Sequence, residues 1–178
     1  MHLRSSSEIQ SLREELRSYF AALLTDEVRA GLKQEGEAGG PVHSAVQRQM
    51  GQDGWLGIGW PVEYGGQGRG PAAQFVFYDE AYRADAPIPM ITMTTVGPTL
   101  MSHGSQEQKD YFLPKILAGE LVVSIGYTEA EAGTDLASLT TRAVRDGDEY
   151  VINGSKVFTS GADGADWIWL AARTDPDA

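Results

Sequence analysis

The sequence predicts an α+β fold, with an all-α N-terminal domain over residues 1–120 followed by an incomplete antiparallel β segment over residues 121–178. Two observations lead to this prediction. Apolar residues recur at helical spacing up to Glu120 and alternate with a period of two after it. The chain is 42% hydrophobic and 22% charged, as in average globular proteins, so its 178 residues can bury a sizeable core.

The first predicted helix runs from Ile9 to about Val28, because its apolar residues follow an i, i+3, i+4, i+7 pattern. Ser7 and Gln10 have the spacing of a capping box at its start, and Gly31 is the predicted end. A second helix is expected over residues 44–52.

A glycine-rich passage occupies residues 51–71. Its glycines alternate with Trp55 and Trp60, which predicts an ordered loop of tight turns anchored to the core by the two indole rings.

Three further helices are expected before residue 120. They cover residues 72–84, residues 88–104 and a stretch that begins at a capping box formed by Ser105 and Gln108. The Met-rich and Thr-rich helix 88–104 suits either the wall of an apolar pocket or a bundle core. In the last helix, Pro114 is expected to cause a kink or a restart, and Gly119 to end it.

The C-terminal segment predicts an antiparallel meander of about five short strands, over residues 121–127, 139–144, 150–152, 157–159 and 167–171. Asp146-Gly147 and Asn153-Gly154 are predicted hairpin turns, since such pairs tolerate positive φ angles. An open sheet of this size leaves an edge unpaired, so the β domain is expected to be incomplete.

Composition excludes several classes of function. A net charge of −11 gives no basic face for a phosphate backbone, so no nucleic-acid partner is expected. The chain has no cysteine, and its three histidines are too scattered to predict a metal site. No signal-like segment or run of 18 apolar residues is present, so we expect a cytoplasmic protein without a membrane span.

One segment remains as a candidate ligand site, the strand exit at residues 125–135 with its hydroxyls, glycines and backbone amides. The glycine string 65–70 lacks the spacing of a dinucleotide fingerprint, and residues 154–156 lack that of a phosphate loop. The residues alone leave two interpretations of the segment open. It can hold a flat polar ligand, or it can be an ordinary loop in which Thr134 or Asp135 caps the next turn.

Residues 128–135, TEAEAGTD, resemble the TE-P-x-AG-[ST]-D signature of the acyl-CoA dehydrogenase family, with Ala130 where proline is usual. Other family motifs have counterparts in order along nearly the whole chain, at residues 59–66, 103–120, 148–156, 158–161, 165–167 and 173–175. The stretches GWPVEYGGQG and IGYTEAEAGTDLASL resemble members that act on acyl-CoA esters of steroid side chains.

The resemblance implies a helical domain, a β-barrel-like middle domain and a C-terminal four-helix bundle, with FAD between the last two. The bundle is expected to be absent from this chain. It also implies flavin-dependent α,β-dehydrogenation of an acyl-CoA thioester, electron-transfer flavoprotein or a similar acceptor, and a homo- or hetero-oligomer.

Carried over residue by residue, the resemblance places flavin contacts on the strand-exit loop. Ile125, Tyr127 and Thr128 would line the flavin through backbone and hydroxyl groups. Gly133 belongs to the same loop, and Thr134 would reach the pyrophosphate or the CoA part of the substrate.

A second group of implied flavin contacts lies at residues 158–160. Phe158, where the family often has tryptophan, would flank the isoalloxazine ring. Either Thr159 or Ser160 would donate a hydrogen bond near flavin N5, where a donor stabilises the electron-rich reduced ring.

No catalytic residue is assigned, because the family's glutamate base lies beyond the middle domain. Glu129, Glu131 and Glu149 do not match its motif, although spacing alone leaves Glu129 and Glu131 open. Three hypotheses therefore remain. The chain is a partial acyl-CoA dehydrogenase, a non-catalytic FAD-holding subunit of a heteromeric dehydrogenase, or part of a flavin monooxygenase or nitroalkane oxidase of the same fold.

Overall fold

The chain divides into two compact units, Met1–Val122 and Val123–Ala178. A computed structural model describes residues 6–36 and 39–175. Helices dominate the described part of the first unit, and the four strands lie in the second, which confirms the predicted α+β class. Among the described residues, every helix is too short or too polar to traverse a bilayer.

The first unit is built from helices that follow one another closely along the chain. A five-residue π-helical turn, Thr92–Val96, leads directly into the fifth helix. The helices are α1 (Ser7–Leu23), α2 (Asp26–Glu35), α3 (Pro41–Gln52), α4 (Gly70–Arg83), α5 (Gly97–His103) and α6 (Gln106–Leu117).

The single long helix predicted near the N-terminus is wrong, because the chain breaks after α1 and starts a new helix. Thr25 caps α2 by accepting a hydrogen bond from the amide of Val28 at 3.3 Å. A threonine followed by two acidic residues is a helix start signal that the apolar spacing concealed. Similarly, Ser6 and not Ser7 caps α1.

Helix α2 also continues past its predicted end at Gly31 and stops at Glu35. Gly36 then takes a φ of 62°, a value that glycine adopts without strain. The Glu35 carboxylate accepts hydrogen bonds from the amides of Val42 and His43, at 2.7 and 2.9 Å. These two donors belong to the first turn of α3, so one side chain joins the ends of two helices.

The glycine-rich passage is an ordered loop, as predicted. Trp55 and Trp60 are 9% and 3% exposed, and the Trp60 indole donates a hydrogen bond to the Met93 carbonyl at 3.3 Å. A Cβ on Gly66 would lie 2.2 Å from the Trp60 carbonyl oxygen, and one on Gly97 would lie 2.2 Å from the indole ring. Glycine is therefore required here by close packing around Trp60.

The capping box at the start of α6 is confirmed. Ser105 Oγ accepts from the amide of Gln108, and the Gln108 side chain accepts from the amide of Ser105 at 2.9 Å. Pro114, however, lies inside α6 and does not restart it. Proline removes only one backbone hydrogen bond, and burial of Leu113 and Ile116 on either side keeps the helix against the core.

Helices α1 and α4 pack through both apolar and charged side chains. Leu16 and Phe20 of α1 are fully buried, and the Phe20 ring lies 5.9 Å from that of Phe77. The buried carboxylate of Glu80 accepts hydrogen bonds from Arg17 at 2.8 Å and from Arg13 at 2.6 Å.

The second unit contains four described strands in two pairs: β1 (Val123–Gly126), β2 (Arg142–Asp146), β3 (Glu149–Asn153) and β4 (Trp167–Leu170). Strands β2 and β3 form an antiparallel hairpin, and Gly147 in its turn has the positive φ that the sequence predicted. Strand β1 pairs with β4 in parallel.

The predicted antiparallel meander is therefore wrong in two respects. The β1–β4 pair is parallel, and residues 157–159 do not form a strand. Asn153-Gly154 is not a hairpin turn either. A Cβ on Gly154 would lie 2.2 Å from Thr141 Oγ1, so this glycine permits a close approach between two segments.

Candidate functional site

The two segments that the sequence marked for flavin contact lie side by side in the second unit. The amide of Val157 donates to the carbonyl of Thr128 at 2.9 Å. The buried Ser124 hydroxyl donates to the carbonyl of Ser160 at 3.0 Å. These two bonds connect segments that are about 30 residues apart in sequence, which sequence patterns did not predict.

Strand β1 is held against β4 at the start of this site. Ile125 pairs with Trp169 across the parallel ladder, and the Trp169 indole donates to the Tyr127 hydroxyl at 3.1 Å. A Cβ on Gly126 would lie 3.1 Å from a methyl group of Ile168, so β1 and β4 are in close contact here. Ile125 and Tyr127 are half-buried, with their backbone fixed at the strand exit.

The loop after β1 turns tightly and exposes its tip. Glu129 and Ala132 exchange two backbone hydrogen bonds, at 2.8 and 3.2 Å. Thr128 is half-buried, whereas Gly133 and Thr134 are exposed. The loop is therefore fixed at Glu129 and Ala132, and beyond them it exposes small side chains and backbone to solvent.

The alternative interpretation of this loop as a side-chain cap has no support in the structure. A short 3₁₀ turn, Leu136–Ser138, follows the loop, and Asp135 precedes that turn without a side-chain capping bond. The exposed Thr134 lies before the capping position.

The second segment has an unusual backbone. Phe158 has a φ of 58° and an 85% exposed side chain, although bulky residues rarely adopt this left-handed region. The amide of Ser160 donates to the Phe158 carbonyl at 2.9 Å, closing a tight turn around the half-buried Thr159. A strained, exposed aromatic residue is typical of a functional position.

A buried ion pair underlies the site, and sequence reasoning missed it. The Glu129 and Lys156 side chains are 7% and 10% exposed, and Lys156 Nζ donates to Glu129 Oε1 at 2.8 Å. That oxygen also accepts from the amide of Thr141 at 2.8 Å. Glu129 Oε2 accepts from the amide and the hydroxyl of Thr140, at 2.6 and 2.7 Å.

This environment determines the chemistry of Glu129. The hydrogen bond from Lys156, followed by those from Thr141 and Thr140, holds the pKa of the carboxyl well below its usual range. A carboxylate that is ionised and accepts four hydrogen bonds is poorly suited to abstract a proton from a substrate. The structure therefore argues against Glu129 as a base. The other two glutamates considered, Glu131 and Glu149, are exposed.

Comparison with known proteins agrees with this architecture. The model of the acyl-CoA dehydrogenase N-terminal domain matches residues 6–120, and that of the acyl-CoA dehydrogenase middle domain matches residues 124–178. The chain belongs to the acyl-CoA dehydrogenase family.

Individual relatives are similar over the entire chain. Acyl-CoA dehydrogenase FadE29 of Mycobacterium tuberculosis is 56% identical over 178 residues, which are 100% of this chain and 46% of the relative. The crystal structure of the ChsE4-ChsE5 complex from the same organism has a TM-score of 0.92 at 52% identity, covering 99% of this chain and 45% of that one.

A second structure, described as the Tcur3481-Tcur3483 steroid ACAD, has a TM-score of 0.91 at 59% identity. The match covers 100% of this chain and 46% of that one. The chain thus spans about half the length of the relatives that it matches.

Proposed function

We propose that this chain carries the flavin-binding loops of an FAD-dependent acyl-CoA dehydrogenase, an oxidoreductase acting on a CH–CH bond. The observation that supports this most strongly is the pairing of the 125–134 loop with residues 158–160. The hydrogen bond between Val157 and Thr128 joins the two segments to which the resemblance assigns flavin contacts.

The residues present are compatible with FAD. The turn at Phe158 offers an exposed aromatic ring, and Thr134 offers an exposed hydroxyl on the neighbouring loop. The loop is joined to the residue before the turn by the 2.9 Å hydrogen bond from the Val157 amide to the Thr128 carbonyl. Bound FAD would take up the hydride that leaves the β-carbon of the substrate. In this proposal Phe158 flanks the ring, and Thr159 or Ser160 donates a hydrogen bond near its N5 atom.

The strand-exit loop supplies the remaining contacts. Ile125 and Tyr127 present backbone groups, Thr128 a hydroxyl, and Gly133 a backbone without a side chain. A Cβ on Gly133 would have only one described neighbour within 4 Å, the Thr128 methyl at 3.8 Å, so the loop surface is open at this point. Thr134 would then contact either the pyrophosphate or the CoA part of the substrate.

We further propose a steroid side-chain acyl-CoA as substrate and a heteromeric enzyme as the working form. The Tcur3481-Tcur3483 structure is described as a steroid ACAD and shares 59% identity with this chain. The ChsE4-ChsE5 structure is a complex of two named components. We also propose a cytoplasmic enzyme that delivers its electrons to electron-transfer flavoprotein or a similar acceptor.

Flavin affinity tests the proposal. Replacing Thr128 and Thr134 by valine in a complete or partnered form of the protein removes two hydroxyl groups, worth about 1–3 kcal/mol together, and should raise the Kd for FAD about five- to 150-fold. Thr174→Val is the matched control, since Thr174 is an exposed threonine of the same unit outside both loops. Equal Kd values for the double variant and the control would contradict the assignment.

A turnover assay separates the catalytic form from a non-catalytic subunit. The chain is supplied with FAD, acyl-CoA esters including steroid side-chain thioesters, and an artificial electron acceptor, with and without a partner chain. If the chain is a flavin-holding subunit of a heteromer, turnover appears only with the partner. Turnover by the chain alone would refute the hypothesis of a heteromeric enzyme. Oxygen consumption with nitroalkanes would support the oxidase hypothesis instead.

A further inference from the structure

Stability alone does not explain why the Glu129–Lys156 ion pair lies where it does. Glu129 is buried and Lys156 is 10% exposed, and an ion pair largely removed from water is often no more stabilising than apolar side chains of similar size. Its hydrogen bonds, however, reach the backbone of separate segments. Lys156 Nζ also donates to the Tyr127 carbonyl at 3.0 Å, and Glu129 binds the amides of Thr140 and Thr141.

The pair lies next to the backbone bond that joins the two candidate flavin-binding segments. Glu129 directly follows Thr128, and Lys156 directly precedes Val157, so the side-chain bond and the Thr128–Val157 backbone bond involve consecutive residues on both segments. Two adjacent connections of this kind prevent one segment from sliding along the other, because a shift of one residue would break both.

The same pair also supports the strained turn at Phe158. A left-handed φ at an aromatic residue persists only where the surrounding structure holds it. The turn is held at one end by Lys156 and Val157 and at the other by the bond from Ser124 to the Ser160 carbonyl. Release of the first connection leaves the Phe158 backbone free to relax.

We propose that Glu129 and Lys156 are positioning residues for FAD, which set the register between the 128–134 loop and the turn at residues 158–160. This inference rests on the proposed function, in which those two segments contact the flavin. Neither side chain needs to touch the flavin itself.

The test uses Glu129→Gln, Lys156→Met and the double variant in a complete or partnered form of the protein with FAD. For each protein we measure the melting temperature, the Kd for FAD and the visible circular dichroism of the bound flavin. The single variants leave an unpaired buried charge and are expected to melt at a lower temperature. The double variant removes both charges and should recover much of that loss.

FAD binding is expected to behave differently from stability. If the pair sets the register, the double variant still binds FAD at least tenfold more weakly, with an altered visible circular dichroism spectrum. A purely stabilising role predicts instead that FAD affinity recovers together with the melting temperature. Because the double variant carries no unpaired buried charge, it provides the decisive measurement even where a single variant fails to fold.

Glu80→Gln is the matched control. Glu80 is also a buried carboxylate bonded to cations, but it lies in the first unit. The Glu80→Gln variant should have a lower melting temperature but an unchanged Kd for FAD and an unchanged flavin spectrum. Wild-type Kd and spectrum in the double variant would overturn the inference and leave the proposed function intact, whereas failure of the complete or partnered wild-type protein to bind FAD would overturn both.

Discussion

Gly154→Ala should strongly destabilise the second unit. The added Cβ would lie 2.2 Å from Thr141 Oγ1, 2.6 Å from Thr141 Cβ and 2.7 Å from Thr141 Cα. Real Cβ atoms do not approach other atoms this closely, and the Thr141 backbone cannot move aside freely because its amide donates to Glu129 at 2.8 Å.

The expected size of the effect follows from these distances. The φ of Gly154 lies outside the left-handed region, so alanine brings no backbone strain and the cost comes from overpacking alone. Overpacking costs about 1–3 kcal/mol, and a clash with the backbone of the buried Thr141 favours the upper half of that range, about 2–3 kcal/mol. For a protein of this size, that corresponds to a melting temperature lower by roughly 4–12 °C.

Thermal unfolding followed by circular dichroism measures the change, with Gly133→Ala as the control. A Cβ on Gly133 would meet only the Thr128 methyl at 3.8 Å, an ordinary contact, so this variant should melt within about 2 °C of the wild type. Equal melting temperatures for the two alanine variants would show that Thr141 does not approach Gly154 as closely as in the structure.

Two further predictions concern a helix cap and a charge. Ser105→Ala removes the hydroxyl that caps α6 and should lower the free energy of unfolding by about 1 kcal/mol in urea titrations, whereas Ser102→Ala, an exposed hydroxyl at the end of α5, should cost less. The Glu129 pKa is lowered in the folded state, so the ionised carboxylate stabilises the fold at pH values above its ordinary pKa of about 4.5. This contribution is lost as the pH falls below that value. The stability difference between wild type and Glu129→Gln should therefore stay constant from pH 7 to 5.5 and shrink below pH 4.5; a constant difference down to pH 3 would contradict the assigned ion pair.

Local patterns in the sequence determined much of the first unit. The sequence predicted α3 from residue 44 onward, α4, and α6 with its Ser105 and Gln108 capping box, and the structure contains all three, with α3 starting earlier at Pro41. These features depend on residues three or four positions apart, whose interactions are set by helix geometry alone. The break at Thr25 was missed because the apolar stripe continues across it, although the capping threonine and the acidic residues after it were visible.

The tertiary structure decided the topology of the β unit and the construction of the candidate site. The period-two pattern predicted strands at β1 and β4 but could not show that they pair in parallel, because alternation reports which face of a strand is buried and not which strand lies beside it. The Glu129–Lys156 pair joins residues 27 positions apart, and the Ser124–Ser160 bond joins residues 36 apart. Such contacts leave no periodic signal, since they depend on where the chain returns after folding.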